Sequence, residues 1–172
     1  MMSPFYEKLN AALSSVLAIE NIEILKNSVK TSKRVFIIGN GGSNAIASHI
    51  SVDYSKWLKI PTFGFTDSSI LTAYFNDFGN ENVYVEFLKS HTSKDDLVIL
   101  ISSSGNSPNI VNCVSYRESI SASYILLTGF SKDNRARKEI KNNCILDIWV
   151  NSGSYGIVEL AHESFLHSIV DN

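Results

Sequence analysis

Apolar residues follow two alternating rhythms along this chain. From Phe5 to Val29, the positions Leu9, Leu13, Val16, Leu17, Ile22, Leu25 and Val29 recur mostly at intervals of three and four. That spacing keeps one side of an α-helix apolar and predicts a leading helix or helix pair, with a break near Asn21. Val35-Phe36-Ile37-Ile38 is different: it is continuous, rich in β-branched residues and too short for a helix, as expected of a strand buried on both faces. The exchange then repeats, with strands predicted over 62–65, 97–101, 124–128 and 145–150. Helices are predicted over 68–75, 83–90, 108–119, 134–141 and 157–170. Five strands alternating with helices predict an α/β fold with a doubly wound, mostly parallel five-stranded sheet flanked by helices. Right-handed crossovers place the C-terminal strand ends on one edge, and ligands of such sheets sit there, where the strand order reverses.

Two polar loops leave predicted strand ends and should meet at that edge. Ser102 to Ser107 reads SSSGNS and runs into Pro108, a residue suited to the first helical turn. Its amides and hydroxyls are donors, and free amides at a helix start bind an anion without any lysine. Alone, such a cluster reads equally as a turn and a helix cap. Gly39 to Asn44, GNGGSN, changes the balance, because it too links a buried strand to a helix and its glycines permit close backbone approach. It lacks the third spaced glycine of the dinucleotide fingerprint and the lysine of the Walker A loop. The reading is therefore a phosphorylated small molecule, with no nucleotide cofactor.

Composition narrows the partners. The 172 residues are 44% hydrophobic and carry a net charge of −2, which fits one domain spanning 1–172 and gives no general attraction for nucleic acid or an anionic membrane. No stretch reaches the roughly 18 apolar residues of a membrane span. No basic, apolar and small-residue leader opens the chain, so a cytoplasmic location is expected. Cys113 and Cys144 lack metal-finger spacing and read as buried free thiols.

Candidate chemistry lies on two predicted helices. His49 and Asp53 are four residues apart and share a face; Glu159 and His167, with His162 and Glu163 between them, occupy the closing helix. Such sets serve as base and acid or hold a divalent metal. By spacing alone His49 and Asp53 form an ordinary surface pair. The closing helix, with Ile157, Leu160, Ala161, Phe165 and Ile169, reads as an amphipathic core helix with His162 at the edge of its stripe.

The segments GNGGSNAIASHISVDYS, FNDFGNENVYVEFL, ISSSGNSPNIV, LLTG and VELAHESFLHSIVD, in this order and at this spacing, resemble the SIS-domain phosphosugar isomerases, in particular the sedoheptulose 7-phosphate (phosphoheptose) isomerases. The likeness runs from about residue 5 to the end. It implies a SIS domain, a flavodoxin-like three-layer sandwich, with the N-terminal helical segment 1–31 as an oligomer interface. It further implies a homotetramer whose sites are shared between subunits, acting on a small phosphorylated sugar. Ser43, Ser102, Ser104 and Ser107 fall where the family holds phosphate, with Gly41, Gly42, Ser103 and Glu159 in the same binding set; Asn40 and Asp77 fall where it contacts the sugar chain.

By the same resemblance Asp53 matches the catalytic glutamate and His167 the catalytic histidine, while His49, Asp53, Glu159 and His167 match positions at which some members bind zinc. The implied reaction is aldose–ketose isomerisation through an enediol. A regulatory, non-catalytic member that binds a sugar phosphate or a replication initiator is the alternative. Four departures stand out: aspartate for glutamate at 53, Lys56-Trp57-Leu58-Lys59 where the family has its usual basic and aromatic stretch, glutamate for glutamine at 159, and a stretch from Asn151 to Gly156 without the expected charged pattern.

Overall fold

In the computed structural model, which describes residues 2–115, 121–140 and 142–170, each predicted strand forms. These are β1 (Val35–Gly39), β2 (Thr62–Gly64), β3 (Leu97–Ser102), β4 (Ser123–Thr128) and β5 (Cys144–Trp149). All neighbours pair in parallel, in the order β2-β1-β3-β4-β5. The order reverses between β1 and β3. Register sets Gly39 beside Ile101 and Ser102 beside Thr128, so both polar loops start side by side at the C-terminal edge.

The apolar runs are continuous because the sheet is covered on both sides. Val35, Ile37, Leu97, Ile99, Ile101, Ile125 and Leu127 face one core, and their alternates Phe36, Ile38, Val98, Leu100, Tyr124 and Leu126 face the other. The first core is closed by α1 (Pro4–Val16), α2 (Ile19–Thr31), α3 (Gly42–Asp53) and α8 (Tyr155–His167). The second is closed by α5 (Val83–His91), α6 (Pro108–Ser115) and the short α7 (Arg135–Lys138). The leading helical segment breaks at Leu17–Ala18, before Asn21, and buries Ala12, Val16, Leu25 and Val29 against its own sheet. Its Phe5, Tyr6 and Ile19 remain exposed.

Several boundaries differ from expectation. α8 begins at Tyr155 and ends at His167, and α7 covers four residues rather than the run 134–141. The expected ends at Ser119 and Lys141 lie outside the described residues. Cys113 is buried as expected, but Cys144 is only half-buried, because β5 is the sheet's edge strand. α4 (Ser68–Phe78) buries none of its residues and exposes Ile70, Leu71, Phe75 and Phe78. Among the described residues, no helix is long and apolar enough to cross a membrane.

Candidate active site

A cleft of about 230 Å³ opens at the switch point between β1 and β3. Asn40, Gly41, Gly42, Ser43, Ser102, Ser103, Ser104, Ser107 and Glu159 line it, so nine residues expected to bind the substrate or its phosphate converge there. Tyr155, which the sequence did not single out, joins them as the first residue of α8, its ring edge-on to Phe130 at 4.8 Å. No lysine or arginine lines the cleft among the described residues. Its capacity for an anion comes from the starts of α3 and α6 and from serine hydroxyls.

The two loops are bound to each other. Asn40 and Asn109 exchange a reciprocal pair of amide hydrogen bonds at 2.9 and 3.0 Å, and the Tyr84 hydroxyl lies 2.9 Å from Asn40 Oδ1 and 3.0 Å from Gly39 O. Burial pushes the Tyr84 phenol up to about 12, so it stays a neutral donor. Asn40 therefore ties the loops together. Asn109 was legible only as part of the SPN ending of its loop. Glu159 crowds the other rim: a Cβ built on Gly42 would stand 2.7 Å from the Glu159 carboxyl carbon.

Asp77 does not join the cleft. It is exposed on α4, where its carboxylate accepts a hydrogen bond from the Asn76 amide.

Farther along α3 and α8 lies a second cluster. Asp53 Oδ2 stands 3.6 Å from His49 Nε2 and 3.5 Å from His167 Nδ1, and the two imidazole rings are 5.1 Å apart. Asp53 is thus flanked by both histidines. The sequence placed Glu159 with this group, but the helix sets it two turns from His167, at the cleft between the polar loops. Glu163, one turn from His167, is the carboxylate that converges instead: the ligand atoms of His49, Glu163 and His167 lie within 4.8 Å of one another. Two histidines and a carboxylate are a donor set suited to zinc.

Two buried hydrogen bonds fix α8 in place. The Tyr54 hydroxyl, directly after Asp53, donates to Leu166 O at 2.8 Å, next to His167. His162 is fully buried, not at the edge of a stripe, and its Nε2–H donates to Thr128 O at 3.1 Å, while Nδ1 has no partner among the described residues. Burial holds its pKa down at about 4, so the ring is neutral.

The SIS domain family pattern matches residues 4–129, nearly three quarters of the sequence. The chain belongs to the SIS-domain family. Among its relatives, the phosphoheptose isomerase of Campylobacter concisus is 31% identical to this SIS protein over 171 residues, covering 96% of this chain and 86% of the relative. That of Buchnera aphidicola is 32% identical over 162 residues, covering 88% and 81%. The fold of this SIS protein also matches a phosphoheptose isomerase structure from Neisseria gonorrhoeae with a TM-score of 0.84, at 23% identity and over 97% and 91% of the two chains.

Proposed function

We propose that this protein is an aldose–ketose isomerase of sedoheptulose 7-phosphate, working as one domain over residues 1–172. The observation that carries the reading is the pairing of a cation-free anion cleft with an acid–base cluster on the same two helices. From Ser43 to Asp53 the α3 axis advances about 15 Å, and from Glu159 to His167 the α8 axis advances about 12 Å. The phosphate and the reacting carbons are therefore held well apart, which suits a long open-chain sugar better than a triose.

In the forward direction Asp53 takes a proton from C1 of the ketose, and the electron pair forms the C1–C2 double bond. His167 supplies a proton to the C2 oxygen, giving the enediol. Loss of the O1 proton and return of a proton to C2 then complete the aldehyde. A positioned acid and base contribute about 10² to 10⁴ each in such a reaction. His49 and Glu163, with His167, are the residues that would hold zinc, which when bound would polarise the carbonyl and stabilise enediolate charge.

A cytoplasmic homotetramer is part of the proposal. The exposed apolar side of α4 and the exposed residues of α1 support subunit contacts, and such contacts would carry Asp77 to a neighbour's cleft.

The test is turnover of sedoheptulose 7-phosphate by the purified protein, with and without zinc, following the aldose product. Asp53→Asn and His167→Ala are each expected to lower kcat by about 10² or more. Phosphate binding without turnover in any condition would sink the reaction while leaving the cleft intact.

A further inference from the structure

The anion loop is gripped from outside the cleft. Gly105 lies at φ +64°, and a Cβ built on it would fall inside the amide group of Asn134. Asn134 is 2% exposed and precedes α7. Its Oδ1 accepts from Arg137 N at 3.1 Å, and its Nδ2 donates to Ser131 O at 2.9 Å and, at a longer 3.4 Å, to Gly129 O. Three partners thus hold the amide against the space left by the glycine. Two more bonds cross from the same segment to the loop: Ala136 N donates to Gly105 O at 2.8 Å, and Arg135 N to Asn106 Oδ1 at 3.0 Å.

Inside the loop the contact continues toward the cleft. Gly105 N donates to Ser102 O at 2.9 Å and to Ser102 Oγ at 3.2 Å, and Ser102 Oγ donates to Ser107 Oγ at 3.3 Å. Ser102 and Ser107 both line the cleft. An unbroken series of packed or bonded groups therefore runs from Asn134 through Gly105 to the hydroxyls that face the anion.

We propose that Asn134 is a positioning residue for the anion loop: by filling the space beside Gly105 it fixes the backbone turn that aims Ser102 and Ser107. The proposal rests on the reading of the cleft as the phosphate site. Asn134 has a second, purely structural use, because its Oδ1 caps α7. The two roles separate by side-chain size. Serine also caps a helix start, but it is too short to occupy the place of the amide beside Gly105.

The experiment compares Asn134→Ser, Asn134→Ala and Asn106→Ala with the wild type. It measures KM and kcat for sedoheptulose 7-phosphate, the inhibition constant of inorganic phosphate, and Tm. Asn134→Ser and Asn134→Ala are expected to raise KM and the phosphate constant together, about tenfold, with kcat within about twofold, because a displaced anion site weakens binding without touching the acid–base pair. Asn106→Ala, on an exposed loop residue, is expected to move both constants the same way by less. Should Asn134→Ala fail to fold, the serine and Asn106 variants carry the test. Wild-type phosphate affinity in Asn134→Ser, or lowered Tm with unchanged KM across the series, would reduce Asn134 to a helix cap and overturn the proposal. A wild-type protein that binds no phosphate would overturn the phosphate reading of the cleft as well, so the two failures are distinct.

Discussion

Protonation of His162 should cost this fold a large share of its stability. The imidazole is fully buried between α8 and β4, with Thr128 O as its one hydrogen-bond partner among the described residues. Burial holds the folded pKa at about 4 against an ordinary 6.5. The folded pKa lies below the unfolded one, so the unfolded chain binds the proton first and stability falls as pH drops through 6.5 toward about 4. Integrating the difference in bound protons from pH 7.5 to 4.5 gives about 2.5 kcal/mol, against the 5–15 kcal/mol typical of a whole domain. Asp67, Asp95 and Asp96 are held below the ordinary value of 3.8 and so lose their contributions outside this window.

The comparison is with His162→Gln, whose amide N–H reaches the place of Nε2 and does not titrate. Urea unfolding of both proteins at half-unit pH steps gives the assay. The variant is expected to be about 1 kcal/mol less stable at pH 7.5. At pH 4.5 it is expected to be the more stable of the two. Groups common to both proteins cancel in the difference. Parallel stability curves from pH 7.5 to 4.5 would show that His162 takes up no extra proton on unfolding and would refute the reasoning.

Two further outcomes follow from the geometry. Gly42→Ala places a Cβ 2.7 Å from the Glu159 carboxyl carbon, and since Glu159 is a flexible side chain the fold should survive while the cleft narrows. Inorganic phosphate inhibition should weaken about tenfold, and adding Glu159→Ala should restore most of it; unaltered phosphate affinity in Gly42→Ala would contradict the cleft geometry. Phe75→Glu, on the unburied helix α4, should leave the circular dichroism spectrum and Tm nearly unchanged but shift sedimentation to a smaller species; an unaltered assembly would remove α4 from the interface.

The sheet was legible because each strand is a continuous apolar run whose length excludes a helix, and all five appear within one or two residues of expectation. The cleft was legible for a related reason: GNGGSN and SSSGNS both follow such strands, and a parallel sheet places their starts side by side. Less legible were residues whose role depends on what lies opposite. Nothing local marks Tyr54, Tyr84 or Asn109, since their hydrogen bonds reach across the fold to Leu166 and Asn40, and although the hydrogen bonds of the Asn134 side chain are local, the glycine it packs against lies far away in sequence. His162 lies among the buried residues of α8, where the apolar pattern had placed it only at the edge of the stripe.

The grouping of Glu159 with His167 failed on helix arithmetic. Tyr155, Glu159, Glu163 and His167 are spaced by four, so they form a single stripe down α8 opposite its buried residues Ile157, Val158, Ala161, His162, Phe165 and Leu166. A stripe is a line of places, each about 6 Å from the next. Its first two members stand in the anion cleft and its last two in the histidine cluster. α3 repeats the arrangement, with Gly42 and Ser43 at the cleft and His49 and Asp53 at the cluster. On the proposed reading, these two helices would hold both ends of one substrate at a fixed separation. The buried bonds of Tyr54 and His162 keep that separation from drifting. On this view loosening either bond should disturb the pairing of Asp53 with His167 before it disturbs anion binding, because both bonds hold α8 while the anion loops are joined independently through Asn40 and Asn109.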